Sequence, residues 1–282
     1  MESSQKMSRS SKALLIVGFV AIAVSFLAYW KNNNLIITPA AMPALQRLAV
    51  STYVVIFASF GAIGLGLYRF YKTKTLSTDD SITTIISNAI NNKRSKQILL
   101  VSAIGYAIFF GFTSGIILYK PDINATDFGF PKPPYAEISP CCNVPGYMPM
   151  ILIFFTEHTG LQIIPLNLVL LVAVSFLVGL NFALASATYS IARKSSKMGS
   201  IGAVTGLFVG CPTCAGTAFM LLFGLGASAS TTATTIFLTT HEVQLQTIFI
   251  AVSIPILLVM PFIMARNIRS ANLKSCTFDS EQ

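Results

Sequence analysis

The sequence predicts an all-α integral membrane protein: a bundle of about six transmembrane helices, both termini cytoplasmic, with a long proline-rich outer loop. Three observations predict it. The 282 residues are 54% hydrophobic and only 10% charged, and the mean hydropathy is +0.70, whereas soluble domains are about 25% charged. Six apolar stretches approach the ~20 residues that a helix rising ~1.5 Å per residue needs to cross ~30 Å of hydrocarbon. The basic residues, finally, are concentrated in alternate connections.

The six spans are Ala13–Trp30, Leu48–Tyr68, Ile98–Tyr119, Ile163–Ala185, Ile201–Leu225 and Leu245–Met264. The first has no small-x-small cleavage site before Lys31 and is longer than a signal-peptide core, so it reads as a retained helix. Of the 19 Lys and Arg, only Lys31, Arg47, Lys120 and Lys132 fall on the side opposite the amino terminus. Basic residues collect on the cytoplasmic side of membrane proteins. The net charge of +9 is therefore a product of topology, and with no folded basic domain a nucleic-acid partner is excluded. The chain reads as one multi-pass domain, residues 1–282, of the cell membrane.

Between the spans, Lys31–Arg47 is a short outer cap. The inner segment 71–97 places Ile82, Ile85, Ile86 and Ile90 at helical spacing, the pattern of a short amphipathic helix on the membrane surface. The outer loop 120–160 carries seven prolines, which predicts a stiff path with little regular structure. Within it Tyr147–Phe155 is apolar but too short to span, so it lies at the interface, re-enters, or packs on helix ends. Asn124-Ala125-Thr126 is a glycosylation sequon.

The chemistry-bearing residues are unevenly placed. Cys141 and Cys142 are adjacent in the outer loop, followed by Met148, Met150 and His158. His241 belongs to the outer connection before the last span. Cys211-Pro212-Thr213-Cys214 lies near the middle of the fifth span, where Pro212 leaves the Phe208 carbonyl without its helical donor. Thiolate and thioether ligands select soft ions such as Cu(I), and imidazole accepts copper. The leading expectation is a membrane protein that binds a soft cation of the copper type, and by extension translocates it. Cys141, Cys142, Met148, Met150, His158 and His241 form the outer capture site, and Cys211 with Cys214 the transfer site. Copper is the expected cofactor.

Two other functions fit the same residues. One is an accessory subunit of a membrane copper monooxygenase or a respiratory oxidase. Gly202, Gly206 and Gly210 form a small-residue stripe along which partner helices or a second copy can pack. Cys214 continues that stripe and equally reads as a buried small residue. The other is a membrane thiol–disulfide oxidoreductase, since Cys-x-x-Cys is the usual exchange pair. No phosphate-binding Gly-Lys-Ser/Thr sequence, nucleophile elbow or zinc-protease helix occurs, and none of the 29 charged residues falls inside a span. ATP-driven, hydrolytic and proton-coupled roles lose their usual residues.

Overall fold

A computed structural model describes residues 2–31, 39–75, 81–119, 121, 126, 131–143, 148–194 and 254–266. Its helices are α1 (Glu2–Lys31), α2 (Met42–Thr75), α3 (Ile82–Asn91), α4 (Lys93–Thr113), α5 (Pro165–Lys194) and α6 (Ile254–Arg266). Four contain segments long and apolar enough to cross a membrane: Ser10–Tyr29, Met42–Thr75, Lys93–Phe112 and Pro165–Thr188. These match the first four expected spans. The fifth span lies outside the described residues, and of the sixth only the part from Ile254 is described, as the shorter helix α6. Two compact units are distinguished, Met1–Ser77 with Ile108–Val172, and Thr78–Ala107 with Ala173–Gln282.

In the first unit α1 and α2 form an antiparallel hairpin. The contacts run in opposite order along the two helices: Ser10 with Arg69, Leu15 with Gly66, Gly18 with Ile63, and Tyr29 with Thr52. Glycine permits this approach. A Cβ on Gly66 would stand 3.1 Å from the Ser11 carbonyl oxygen, and one on Gly18 only 2.6 Å from Ile63. Small residues at such contacts are the means by which helices without a hydrophobic drive between them gain close packing. Hydroxyls along the helices are satisfied locally: Ser25 donates to the Ala21 carbonyl, Thr52 to Leu48 and Ser59 to Val55, the back-bonding that lets serine and threonine sit in apolar helices.

Here the all-α expectation is corrected. The third span was expected to reach Tyr119, but α4 ends at Thr113 and Gly115 adopts φ +73°, a left-handed conformation that costs glycine least and stops a helix. The chain then enters a four-stranded antiparallel sheet made of β1 (Ile117–Tyr119), β2 (Tyr135–Asn143), β3 (Met148–Phe154) and β4 (Thr159–Ile163), in the order β1-β4-β3-β2. The outer segment thus holds regular structure despite its prolines. Tyr147–Phe155, expected to lie at the interface, re-enter, or pack on helix ends, contains the strand β3. Its Ile151 and Ile153 are β-branched and suit a pleated, half-buried surface.

The fourth span was expected from Ile163, which instead closes β4. Pro165 opens α5, the helix position that has no intrahelical partner for an amide to lose. Asn167 lies in the first turn of α5, where its Nδ2 donates to the Ser114 carbonyl at 3.3 Å and so satisfies an orphan group at the end of α4.

In the second unit, α3 is the amphipathic helix read from the isoleucines. Gly179 of α5 lets α4 approach, since a Cβ there would be 2.7 Å from the Leu99 carbonyl oxygen and 2.9 Å from the Ala103 Cβ. Asn181 of α5 is 1% exposed and donates through Nδ2 to the carbonyls of Leu177 (2.8 Å) and Leu257 (3.0 Å).

Candidate metal centre

The sulfur-bearing residues of this segment are carried by the paired strands β2 and β3. Ser139 pairs with Met150 and Asn143 with Met148. The three residues Pro140, Cys141 and Cys142 therefore oppose a single residue, Pro149, and form a bulge. Both sides of that gap lack amide donors because Pro140 and Pro149 have no N–H. Bulges and strand ends are the places where a sheet accepts proline. Paired strands run ~4.8 Å apart, so the two-cysteine stretch lies next to Met148 and Met150.

Met148 is fully buried, Pro149 is buried, and Met150 keeps part of its surface exposed. The sheet is fixed from behind by α2. The Tyr53 hydroxyl lies 2.7 Å from the Ile163 carbonyl oxygen and 3.1 Å from that of Pro149. Tyr53 thereby joins the bulge region of β3 to the end of β4, where the β3–β4 ladder stops at the Ile151–Ile163 pair.

His158 does not share this place. It sits in the β3–β4 turn, where the Phe155 amide donates to the Thr159 carbonyl at 3.0 Å and the Thr156 amide to the same oxygen at 3.2 Å. That turn begins at least five strand positions, ~17 Å, beyond Met150. Copper and zinc bonds to nitrogen and sulfur are only about 2.0–2.3 Å long, so an ion held at the bulge is out of reach of the His158 ring. Beside it, the Glu157 carboxylate accepts from the Thr126 hydroxyl (3.2 Å) and amide (3.4 Å), and is engaged in holding the outer segment. Among the described residues no three His, Cys, Asp or Glu gather as a metal cluster.

Cys211, Cys214, His241 and the Gly202/Gly206/Gly210 stripe lie outside the described residues. At the far end of β2, the Tyr135 hydroxyl donates to the Glu137 carboxylate. That bond holds the Tyr135 phenol above its usual pKa, because the proton it shares must be removed against a negative charge.

Sequence reasoning placed the two cysteines and two methionines together by chain proximity, without the pairing of strands. It missed Tyr53, an aromatic in an apolar helix with no local mark of its role. The signal for the bulge was present in the prolines at 140 and 149. Comparison with protein families, with curated proteins and with solved structures finds no match to this chain.

Proposed function

We propose that this chain is a cell-membrane protein that binds a soft cation of the copper(I) type at the β2–β3 bulge and transfers it to the Cys211/Cys214 pair. The observation that supports the reading is the strand register that pairs Ser139 with Met150 and Asn143 with Met148, so that the two-cysteine stretch lies in the bulge between the two methionine positions. Two thiols and two thioethers are a donor set suited to Cu(I) and poorly suited to Mg²⁺ or Ca²⁺. Thiols must lose their protons to bind, so uptake releases protons and weakens as pH falls. His158 takes no part in this site. His241 is a further candidate donor by its sequence position. Copper, when bound, supplies a soft Lewis acid; the chain supplies the sulfur ligands and the sheet that positions them.

The test is metal content after purification in mild detergent, followed by titration with Cu(I) under reducing conditions. Stoichiometric copper is expected in the parent protein. Cys141→Ser/Cys142→Ser should abolish capture, and Met148→Leu/Met150→Leu should weaken it at least tenfold while preserving core volume. Cys211→Ser/Cys214→Ser should leave capture intact and block transfer across vesicles. A protein that takes up no Cu(I), or whose Cys211 and Cys214 cycle between dithiol and disulfide without metal, overturns the reading.

A further inference from the structure

The helix α3 buries part of its polar side and leaves its apolar arc half-exposed. Advancing ~100° per residue, Ile82, Ile85, Ile86, Ala89 and Ile90 share one arc, and Thr84 with Ser87 stands across from it. Thr84 and Ser87 are each 4% exposed. The four isoleucines all keep part of their surface exposed. Thr84 and Ser87 thus face the protein, Asn88 is exposed, and the branched apolar arc is half-buried with part of each isoleucine open to the surroundings.

Both helix ends are defined by hydrogen bonds. At Asn92 the backbone is extended (φ −63°, ψ 137°), so helical geometry is broken for one residue and α4 starts on a new axis. The Asn92 carbonyl accepts from the Lys96 amide at 3.0 Å, and Lys96 Nζ donates to Asn91 Oδ1 at 3.0 Å, tying the end of α3 to the start of α4. At the other end, the Ser81 carbonyl accepts from the Thr84 amide at 2.9 Å and from the Ile85 amide at 3.1 Å.

Charge completes the picture. Lys93, Arg94 and Lys96 occupy the first turn of α4 and are all exposed. No acidic residue is in that turn, and none occurs anywhere from 81 to 107. Cations at a helix amino terminus oppose the macrodipole, whose positive end lies there. An anion close to that turn would offset both the dipole and the three side-chain charges. A helix with a partly exposed apolar arc and adjacent Lys/Arg suits a bilayer interface and draws acidic headgroups.

We propose that α3 and the first turn of α4 form a binding surface for anionic phospholipid. The Ile82/Ile85/Ile86/Ile90 arc enters the headgroup–acyl boundary while Lys93, Arg94 and Lys96 contact lipid phosphates. The surface is independent of the metal centre.

The chain has one tryptophan, Trp30, so Trp30→Phe with Ile86→Trp gives the full-length protein a single indole on this arc. It is reconstituted in phosphatidylcholine liposomes containing either brominated phosphatidylglycerol or brominated phosphatidylcholine at equal mole fraction. Quenching at least twofold stronger by the brominated phosphatidylglycerol is expected, with the preference abolished by Lys93→Gln/Arg94→Gln. Trp30→Phe with Asn88→Trp, on the exposed polar side, should respond to aqueous iodide instead. An Ile86→Trp indole shielded from both lipid and iodide would mean that protein covers the arc. Equal quenching by the two lipids would mean that charge plays no part. Either result overturns the proposal. Native mass spectrometry gives a readout free of the tryptophan changes: phosphatidylglycerol adducts on the parent protein, reduced at least threefold by Lys93→Gln/Arg94→Gln. Unreduced adducts also overturn it.

Discussion

Asn181 Nδ2 donates to the Leu257 carbonyl, 3.0 Å away, and that carbonyl is the one Pro261 leaves without a helical partner. In a regular helix the amide at position 261 would bond to it; proline has none. A side chain from α5 supplies the missing donor inside a dry interface, where an orphaned carbonyl is costly. Asn181 Oδ1 has no partner among the described residues, so the arrangement relieves one polar group at the expense of another.

Replacing Asn181 by Leu should cost about 1–2 kcal/mol, within the range for lost interhelical hydrogen bonds. The measurement is thermal unfolding in detergent. In a Pro261→Ala background the backbone amide returns, and the cost of Asn181→Leu should fall below half. Equal costs in the two backgrounds would show that the side chain and the proline are uncoupled.

Tyr53→Phe removes the hydroxyl that ties α2 to β3 and β4, at about 1 kcal/mol. Amide exchange should quicken in β3 and β4 and remain unchanged in the α1–α2 hairpin. Uniform acceleration through both regions would contradict a local tether.

Gly66 and Gly61 make opposite predictions. Gly66→Val drives a side chain into the Ser11 carbonyl and Leu15, and should destabilise the hairpin by about 1–3 kcal/mol. Gly61 has nothing within 4 Å of an added Cβ, so Gly61→Ala should be neutral or stabilising by about 0.5–1 kcal/mol. The two melting temperatures, measured in the same detergent, give the comparison.

Tyr135 offers a pH signature. Its pKa lies above the unfolded value of about 10, so the folded state holds this proton more tightly. The Tyr135–Glu137 contribution is complete below about pH 10 and is lost as pH rises through the folded pKa. Glu137→Gln should move the Tyr135 titration down toward its ordinary value, followed by ¹³Cζ-tyrosine NMR. No movement would remove the carboxylate as the cause.

The helical part of the fold was legible because each span is an uninterrupted apolar run whose length the bilayer dictates. Residues 117–163 were harder. Seven prolines in forty-odd residues read as a loop, yet Pro131, Pro133 and Pro134 lie on the approach to β2 and Pro140 and Pro149 at the bulge, where a missing amide costs little. The run Met148–Phe154 carries no strict alternation, because β3 is a central strand with only modest exposure on either face, and period-two patterning fades when both faces are covered. The cysteine–methionine neighbourhood was visible through short sequence separation. The exclusion of His158 was not, since eight residues from Met150 can be near or far until a hairpin sets the direction.

α1 meets α2 near its outer end through Tyr29 and Thr52, while α2 continues back to Met42. About ten residues, ~15 Å at helical rise, therefore stand above the hairpin contact, and the sheet is moored at Tyr53, just below them. Only ~24 Å of α2 separates Tyr53 from Arg69, a little less than an average hydrocarbon slab. For a bilayer whose hydrocarbon ends at Arg69 and Tyr53, longer acyl chains would have to thin around this rod or bring their headgroups to the strands that Tyr53 moors.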